Sequence, residues 1–186
     1  VHKNVLLCDF ASLYPTTMMA YNISPETFLF SLEQLGEEEF EKSLKFLQDN
    51  NIGYVDTGYS DELFGKRYVF LSHRSHIGVI PKLCNTMYKL RREYKKLAKT
   101  EKTKDLRLVA DKKQYAIKII LNSVYGVLPF PFFRLSKPEC GDTVTYFGRK
   151  AIKFANEKLA MNGDVKYNDT DSVSSCTTMR YRIKKK

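Results

Sequence analysis

Apolar and polar positions fall in blocks along this chain, and the blocks predict its elements. Asn4 to Phe10 is a short apolar run with a polar end, which reads as a buried strand brought to a stop at Tyr14-Pro15. Ser24-Pro25-Glu26-Thr27 reads as a turn or a helix start. From Leu32 to Asn50 the acidic residues come first and Phe40, Leu44 and Leu47 recur at helical spacing, which predicts a surface helix. Gly53 to Leu71 intersperses Gly and Asp with Tyr54, Tyr59, Tyr68, Val69 and Phe70, a hairpin pattern. Gly78-Val-Ile-Pro81 then opens a long helix with an apolar stripe of Leu83, Met87, Leu90, Tyr94 and Leu97, and Lys89, Arg91, Arg92, Lys95, Lys96 and Lys99 around it. Thr100 to Asp105 is a polar connection to a second helix, Leu106 to Tyr125, ended by Gly126 and Pro129. Residues 78–126 therefore read as an antiparallel helical hairpin inserted in a mixed α/β body. Thr143 to Met161 is a further amphipathic helix, and Val165 to Cys176 a β-hairpin with Asp169-Thr170-Asp171 at its tip. There is no internal repeat, and the sole biased stretch is the basic run Arg180 to Lys186.

Composition sharpens this picture at one point. With 186 residues, 43% of them hydrophobic, the chain can bury a core in one domain, or in one domain with a sizeable excursion. The formal charge of +10 favours a polyanionic partner. That charge is uneven: Lys82 to Lys118 carries thirteen Lys/Arg against four Asp/Glu, and Leu29 to Leu63 nine acidic against two basic residues. The basic excess sits on the helical hairpin, as a binding surface requires, although a solvated helical face has the same composition. Cys8, Cys84, Cys140 and Cys176 form no C-x-x-C pair and have no histidine cluster nearby, which argues against structural zinc. Without a secretory signal, four thiols are most simply reduced and intracellular, so a cytoplasmic, non-secreted protein is expected. No apolar run approaches the ~20 residues of a membrane span. The chain opens on Val1 with a strand at once, and reads as an excerpt of a larger polypeptide.

Three segments carry chemistry. Asp9 at a strand end and Asp169 and Asp171 at a hairpin tip can share divalent ions if the two strands lie side by side. Hard carboxylate oxygens suit Mg²⁺, and two ions ~3.5–4 Å apart activate a hydroxyl and absorb charge in phosphoryl transfer. Asp-rich turns are also common on plain structural grounds. Arg91 and Lys95 share one helical face, and Tyr115, Lys118, Asn122 and Tyr125 another. If the helices pack antiparallel, the rows can converge on one triphosphate, the arginine as a bidentate donor and the lysines as point charges. Taken singly, each could be an ordinary surface cation or packed tyrosine.

Asp9-Phe-Ala-Ser-Leu-Tyr-Pro15, Lys118-x-x-x-Asn122-Ser-x-Tyr125-Gly126 and Tyr167-x-Asp169-Thr-Asp171-Ser172 resemble, in order, motifs A, B and C of family B DNA polymerases. Pro81 with Arg91 and Lys95 is similar to the first fingers helix of that family. Tyr21-Asn-Ile-Ser-Pro-Glu-Thr27 and Phe132-Phe-Arg134 through Thr145-x-Phe147-Gly148 resemble the replicative polymerases of T-even-like phages. The resemblance covers nearly the whole chain and is weakest across residues 28–77. Thr16 stands in place of the usual serine, and Asn168 where phage relatives carry glycine, a position expected to accept positive φ.

The resemblance implies an α+β fold, a polymerase palm of antiparallel sheet backed by helices with an inserted helical-hairpin fingers subdomain. Residues 1–77 are then the first part of the palm with an acidic insertion, 78–126 the fingers, and 127–186 the second part of the palm. It implies that Asp9 and Asp171 bridge two Mg²⁺ ions (Mn²⁺ as substitute), with Asp169 in a lesser role and the Phe10 carbonyl completing one shell. The amides around Ser12, Leu13 and Tyr14 would cradle the β- and γ-phosphates, with Arg91, Lys95, Lys118 and Asn122 on the fingers side. Tyr14 would lie beneath the incoming sugar, and Tyr125 and Gly126 near the nascent base pair. The implied activity is template-directed transfer of deoxynucleotides to a primer 3′-hydroxyl. The implied partners are primer–template DNA, deoxynucleoside triphosphates and a processivity clamp engaged through other parts of the parent. If phage-encoded, the protein would work in the bacterial host cytoplasm. Neither an exonuclease-like nor a thumb-like segment is present, so a nucleic-acid-binding fragment without activity is the alternative. Reverse transcriptase fits less well, because its hairpin ordinarily carries adjacent aspartates and here Thr170 intervenes.

Overall fold

Where apolar residues alternate the chain pairs as strands, and where they recur every three or four it coils. In the computed structural model, which describes residues 5–58, 66–161 and 163–177, the elements run as follows. They are β1 (Val5–Asp9), α1 (Leu13–Tyr21), a 3₁₀ turn (Pro25–Thr27), β2 (Phe28–Ser31), α2 (Leu32–Leu35), α3 (Glu37–Asp49) and β3 (Tyr54–Asp56). Then come β4 (Tyr68–Leu71), α4 (Val79–Thr100), α5 (Lys104–Val127), α6 (Pro138–Ala160), β5 (Gly163–Asp169) and β6 (Ser172–Thr177). The chain divides into two units, residues 1–13 with 147–186, and residues 14–146. Tyr59 and the basic run Arg180 to Lys186 lie outside the described residues.

The first unit holds an antiparallel sheet of order β1-β6-β5. Strand alternation sorts its side chains: Val173 and Ser175 are buried, whereas Val5, Leu7 and Tyr167 are exposed. A bulge between Val165 and Tyr167 resets the register of β5, so that Tyr167 pairs with Ser174 and Asp169 with Ser172. One extra residue thereby decides which face Tyr167 and Asp169 occupy, because a one-residue slip exchanges faces.

The second unit holds the sheet β2-β4-β3, also antiparallel, and most of the helices. Phe40, Leu44 and Leu47 of α3 bury against Val69 of β4, with Leu29, Phe30, Leu32, Leu35, Ile52 and Tyr54 around them. The single helix expected over 32–50 is broken at Gly36, whose φ of 74° ends α2. Ser31 and Gln34 form a reciprocal capping box at the start of that short helix. Buried Tyr68 donates its hydroxyl to Asp142 Oδ2 at 2.9 Å, tying β4 to the first part of α6. Burial and that bond push its phenol well above the usual range. Tyr146 of α6 donates to the Thr57 carbonyl at 3.3 Å.

Four expectations need adjustment. β1 ends at Asp9, ahead of the expected stop at Tyr14-Pro15, and residues 13–21 form a helix that accepts Pro15 in its first turn, where the missing N–H costs nothing. The α5 helix runs through Gly126 to Val127, and α6 starts at Pro138, five residues before the expected Thr143. The predicted stripe on α4 is only partly covered: Leu83, Leu90 and Leu97 remain 36–40% exposed, and the buried residues of the helix are Ile80, Pro81 and Cys84, outside that stripe. All four cysteines are free, and no helix among the described residues is long and apolar enough to cross a membrane.

Candidate active site

The candidate residues form two groups, one in each unit. In the first unit, β1 and β6 lie side by side, as the carboxylate reading required. Asp9 is paired with Ser172, and Ser172 on its other side with Asp169, so the three form one row across the end of the sheet. Pairing continues one residue beyond the ladder: the Phe10 N–H donates to the Asp171 carbonyl at 2.8 Å. Asp9 and Asp169 are exposed and Asp171 half-buried, and Ser172 Oγ donates to the Asp169 carbonyl at 3.3 Å.

The hairpin tip turns in two residues, and its left-handed position is Thr170, at φ 40°, rather than Asn168, which is paired with Val173 in the ladder. The expectation of positive φ at Asn168 is thus corrected: the bulge places Asn168 inside the strand. A β-branched residue in this region is strained by about 1–3 kcal/mol, and such strain concentrates at functional sites. The Thr170 hydroxyl donates to Asp169 Oδ1 at 3.1 Å. Ser12 too has positive φ, 58°, in the turn between β1 and α1.

Three carboxylates and the Phe10 carbonyl are a hard-oxygen set of the kind Mg²⁺ accepts. Among the described residues no three such side chains converge into a ready cage. The reason is spacing: Asp9 and Asp169 stand on outer strands either side of Ser172, two strand intervals of about 4.8 Å apart. Mg²⁺ keeps several waters and takes one or two carboxylates plus substrate phosphates, so the donor set fits without a full protein cage.

In the second unit the cations gather. Arg91 and Lys95 lie one turn apart on α4, which packs along α5. The Lys95 ammonium is held below its ordinary pKa, first by the Arg91 charge, then by partial burial and by the charges of Lys118 and Lys99. Lys95 of one predicted row and Lys118 of the other thus lie within electrostatic reach of each other. Lys95 and Lys118 make no ion pair among the described residues. Asn122, one turn beyond Lys118, is exposed. Tyr125 and Tyr14, read as separate contacts, touch: their rings are 4.5 Å apart and tilted by 50°. A Cβ built at Gly126 would meet no atom within 4 Å. Packing within the chain does not demand glycine there, although glycine costs a helix about 1 kcal/mol.

Sequence reasoning missed Ser172 as the middle of the carboxylate row, which a count of register across the bulge is needed to find. It also missed Asn22, Ser24 and Glu26, which grip the start of α4 from more than fifty residues away. Asn22 directly after an apolar helix was the available signal, since asparagine accepts positive φ at helix ends.

The family described as "DNA polymerase family B" matches residues 1–184. The chain is 30% identical over 176 residues to "DNA polymerase 2" of Aeropyrum pernix, covering 93% of this chain and 19% of that protein. To the DNA polymerase of fowlpox virus it is 32% identical over 170 residues, 90% of this chain and 17% of that protein. The solved structure of the family B DNA polymerase from the hyperthermophilic archaeon Pyrobaculum calidifontis matches with a TM-score of 0.67 and 30% identity, over 94% of this chain and 20% of that one. The chain thus spans about a fifth of the length of these relatives.

Proposed function

The chain belongs to DNA polymerase family B, and from that membership and its site we propose that it forms the catalytic core of a DNA-directed DNA polymerase. The carrying observation is that Asp9 and the Asp169–Asp171 tip, 160 residues apart in sequence, occupy the same end of one sheet.

In this reading residues 1–77 and 127–186 make up the palm and 78–126 the fingers. The substrates are a primer–template duplex and a deoxynucleoside triphosphate. Asp9, Asp171, Asp169 and the Phe10 carbonyl would hold two Mg²⁺ ions, or Mn²⁺, whose charge lowers the pKa of the primer 3′-hydroxyl and offsets negative charge gathering at phosphorus. Arg91, Lys95 and Lys118 bind the triphosphate by charge-assisted hydrogen bonds, and Asn122 adds an amide donor. Their mutual repulsion, felt at Lys95, is relieved when a polyanion arrives. The amides around Ser12, Leu13 and Tyr14, at the start of α1, would cradle the β- and γ-phosphates, since helix starts favour anionic oxygens. Tyr14, braced by Tyr125, limits the room below the sugar, and Gly126 lets a base come close. Alignment of the 3′-oxygen with the α-phosphorus supplies much of the acceleration. The segments Tyr21–Thr27 and Phe132–Gly148 support a place near T-even-like phage enzymes, where a processivity clamp would be a further partner.

The test is primer extension by the natural protein. Asp9→Asn and Asp171→Asn are each expected to lower incorporation by about three orders of magnitude with folding intact. Near-normal rates in either would refute the assignment and leave the binding-only alternative. Tyr14→Ala is expected to admit ribonucleotides; unchanged sugar selectivity would make Tyr14 only a packed aromatic.

A further inference from the structure

The N–H of Gly78, the residue that caps α4, and the first two amides of the helix are all held by one short segment far away in the sequence. The Gly78 N–H donates to Asn22 Oδ1 at 2.9 Å, the Val79 N–H donates to Glu26 Oε1, and the Ile80 N–H donates to Ser24 Oγ at 3.3 Å. Helix starts leave such donors without intrahelical partners, and a single side chain commonly satisfies one of them. Here three side chains satisfy three in succession.

The segment that supplies them is itself fixed. Asn22 and Ser24 are completely buried. Asn22 has φ 55°, and its Nδ2 donates to the Leu71 carbonyl at 2.8 Å and the His76 carbonyl at 2.7 Å. Thr27 Oγ1 donates to the Asn22 carbonyl at 2.6 Å. Ser24 Oγ, while accepting from Ile80, donates to Glu26 Oε2 at 2.6 Å and so aims that carboxylate. Its bonds to Ser24 and Val79 help hold the Glu26 carboxyl below its usual pKa, against the opposing effect of burial. Gly78 completes the fit: a Cβ there would lie 2.7 Å from Ser24 Cβ and 3.0 Å from Thr27 Cγ2.

We propose that Asn22, Ser24 and Glu26 form a socket that sets the direction of α4, and are positioning residues for nucleotide binding by Arg91 and Lys95. The inference rests on the nucleotide-transfer reading above. The mechanics are those of a lever. Lys95 stands sixteen residues beyond Val79, about 24 Å along the helix at 1.5 Å per residue. A tilt of about 5° at the root therefore moves the Lys95 end of the helix by about 2 Å. Misplacement by about 1 Å can cost a reaction two orders of magnitude. Half-covered Leu83, Leu90 and Leu97 give α4 less lateral bracing than a fully buried helix has, so its direction depends heavily on the root.

The experiment compares single-nucleotide incorporation by the natural protein and its variants, with KM for the triphosphate, KM for primer–template and kcat read separately. Ser24→Ala and Glu26→Ala each remove part of the socket; Gly78→Ala instead wedges it without deleting a bond. All three are expected to raise KM for the triphosphate by roughly fivefold or more while KM for DNA stays within about twofold. Glu26→Gln keeps an acceptor for Val79 and should restore near-wild-type values. Thr86→Ala, at an exposed residue whose hydroxyl donates to the Lys82 carbonyl of its own helix, is the unaffected control. Lower melting temperatures with wild-type KM values would reduce the socket to a plain helix cap, and an equal rise in both KM values would also overturn the proposal. Lys95→Ala is run alongside: if it leaves KM for the triphosphate unchanged, the nucleotide reading itself fails, and if it raises it while the socket variants do not, only the socket fails.

Discussion

The acidic segment from α2 to β4 and the basic hairpin of α4 and α5 are opposites in more than sign. In the acidic segment most charges find partners nearby. Lys42 pairs with Glu38 at 2.8 Å, and Arg67 with Glu41 at 3.0 Å and Asp56 at 2.5 Å. Arg67 also lies 4.7 Å over the Phe40 ring, above a core in which Phe40 and Val69 are wholly buried. On the hairpin, Lys95, Lys96, Lys99, Lys102, Lys104, Lys112 and Lys118 make no ion pair among the described residues. Leucines along α4 remain more than a third exposed. An uneven charge that is offset internally belongs to the fold, and one left open is available to a partner. The sequence count of charges alone does not separate the two cases; the pairing does.

The contrast can be broken first in its cores. Phe40→Ala should destabilise the protein by about 3–5 kcal/mol, measured by denaturant unfolding, because a closed core cannot refill the cavity. Leu90→Ala on α4 should cost less than about 1 kcal/mol, since its side chain is 36% exposed. Equal losses would mean the hairpin is as well packed as the acidic segment.

Function should divide the other way. Lys118→Ala is expected to raise KM for the triphosphate by about 10–100-fold, the loss of a charge-assisted bond of about 1.5–3 kcal/mol. Lys45→Ala, on the exposed face of α3, should leave it unchanged. A comparable effect at Lys45 would make net charge, and not position, the determinant.

The smallest expected effect is a response to salt and pH. Lys95 has a lowered folded pKa, so the folded state binds fewer protons than the unfolded one between that pKa and the usual 10.5. Stability should therefore rise as pH climbs through this window, with the repulsion fully present at neutral pH. Added salt should relieve the same repulsion while weakening exposed pairs such as Lys42–Glu38, each by less than about 1 kcal/mol. A loss of stability on raising pH through that window in wild type, absent in Lys95→Ala, would contradict this.

Much of the architecture was legible from periodicity. The helical hairpin, the β-hairpin and the Phe40–Leu44–Leu47 face all follow from spacing, because each element buries a regular stripe. What escaped depends on single residues against the pattern. Gly36 breaks a helix that composition alone would continue, and Pro15 sits inside one because first-turn amides need no partner. The bulge at Val165–Tyr167 shifts register by one residue, so the positive φ fell on Thr170 and not Asn168. Of the candidate site, the carboxylates and cations proposed for it stand in motifs visible in the sequence, whereas the row through Ser172 and the socket at Asn22 are products of long-range pairing that local pattern does not encode.

The most direct measurement of the central claim compares Lys95→Ala with Lys96→Ala by KM for the incoming triphosphate during primer extension. The two lysines are adjacent, both exposed, and equal in charge, but only Lys95 lies in the row with Arg91 and Lys118. If the open cations form a triphosphate site, Lys95→Ala raises KM by about tenfold or more and Lys96→Ala changes it by less than about twofold. Equal changes in both, or none in either, would contradict the account.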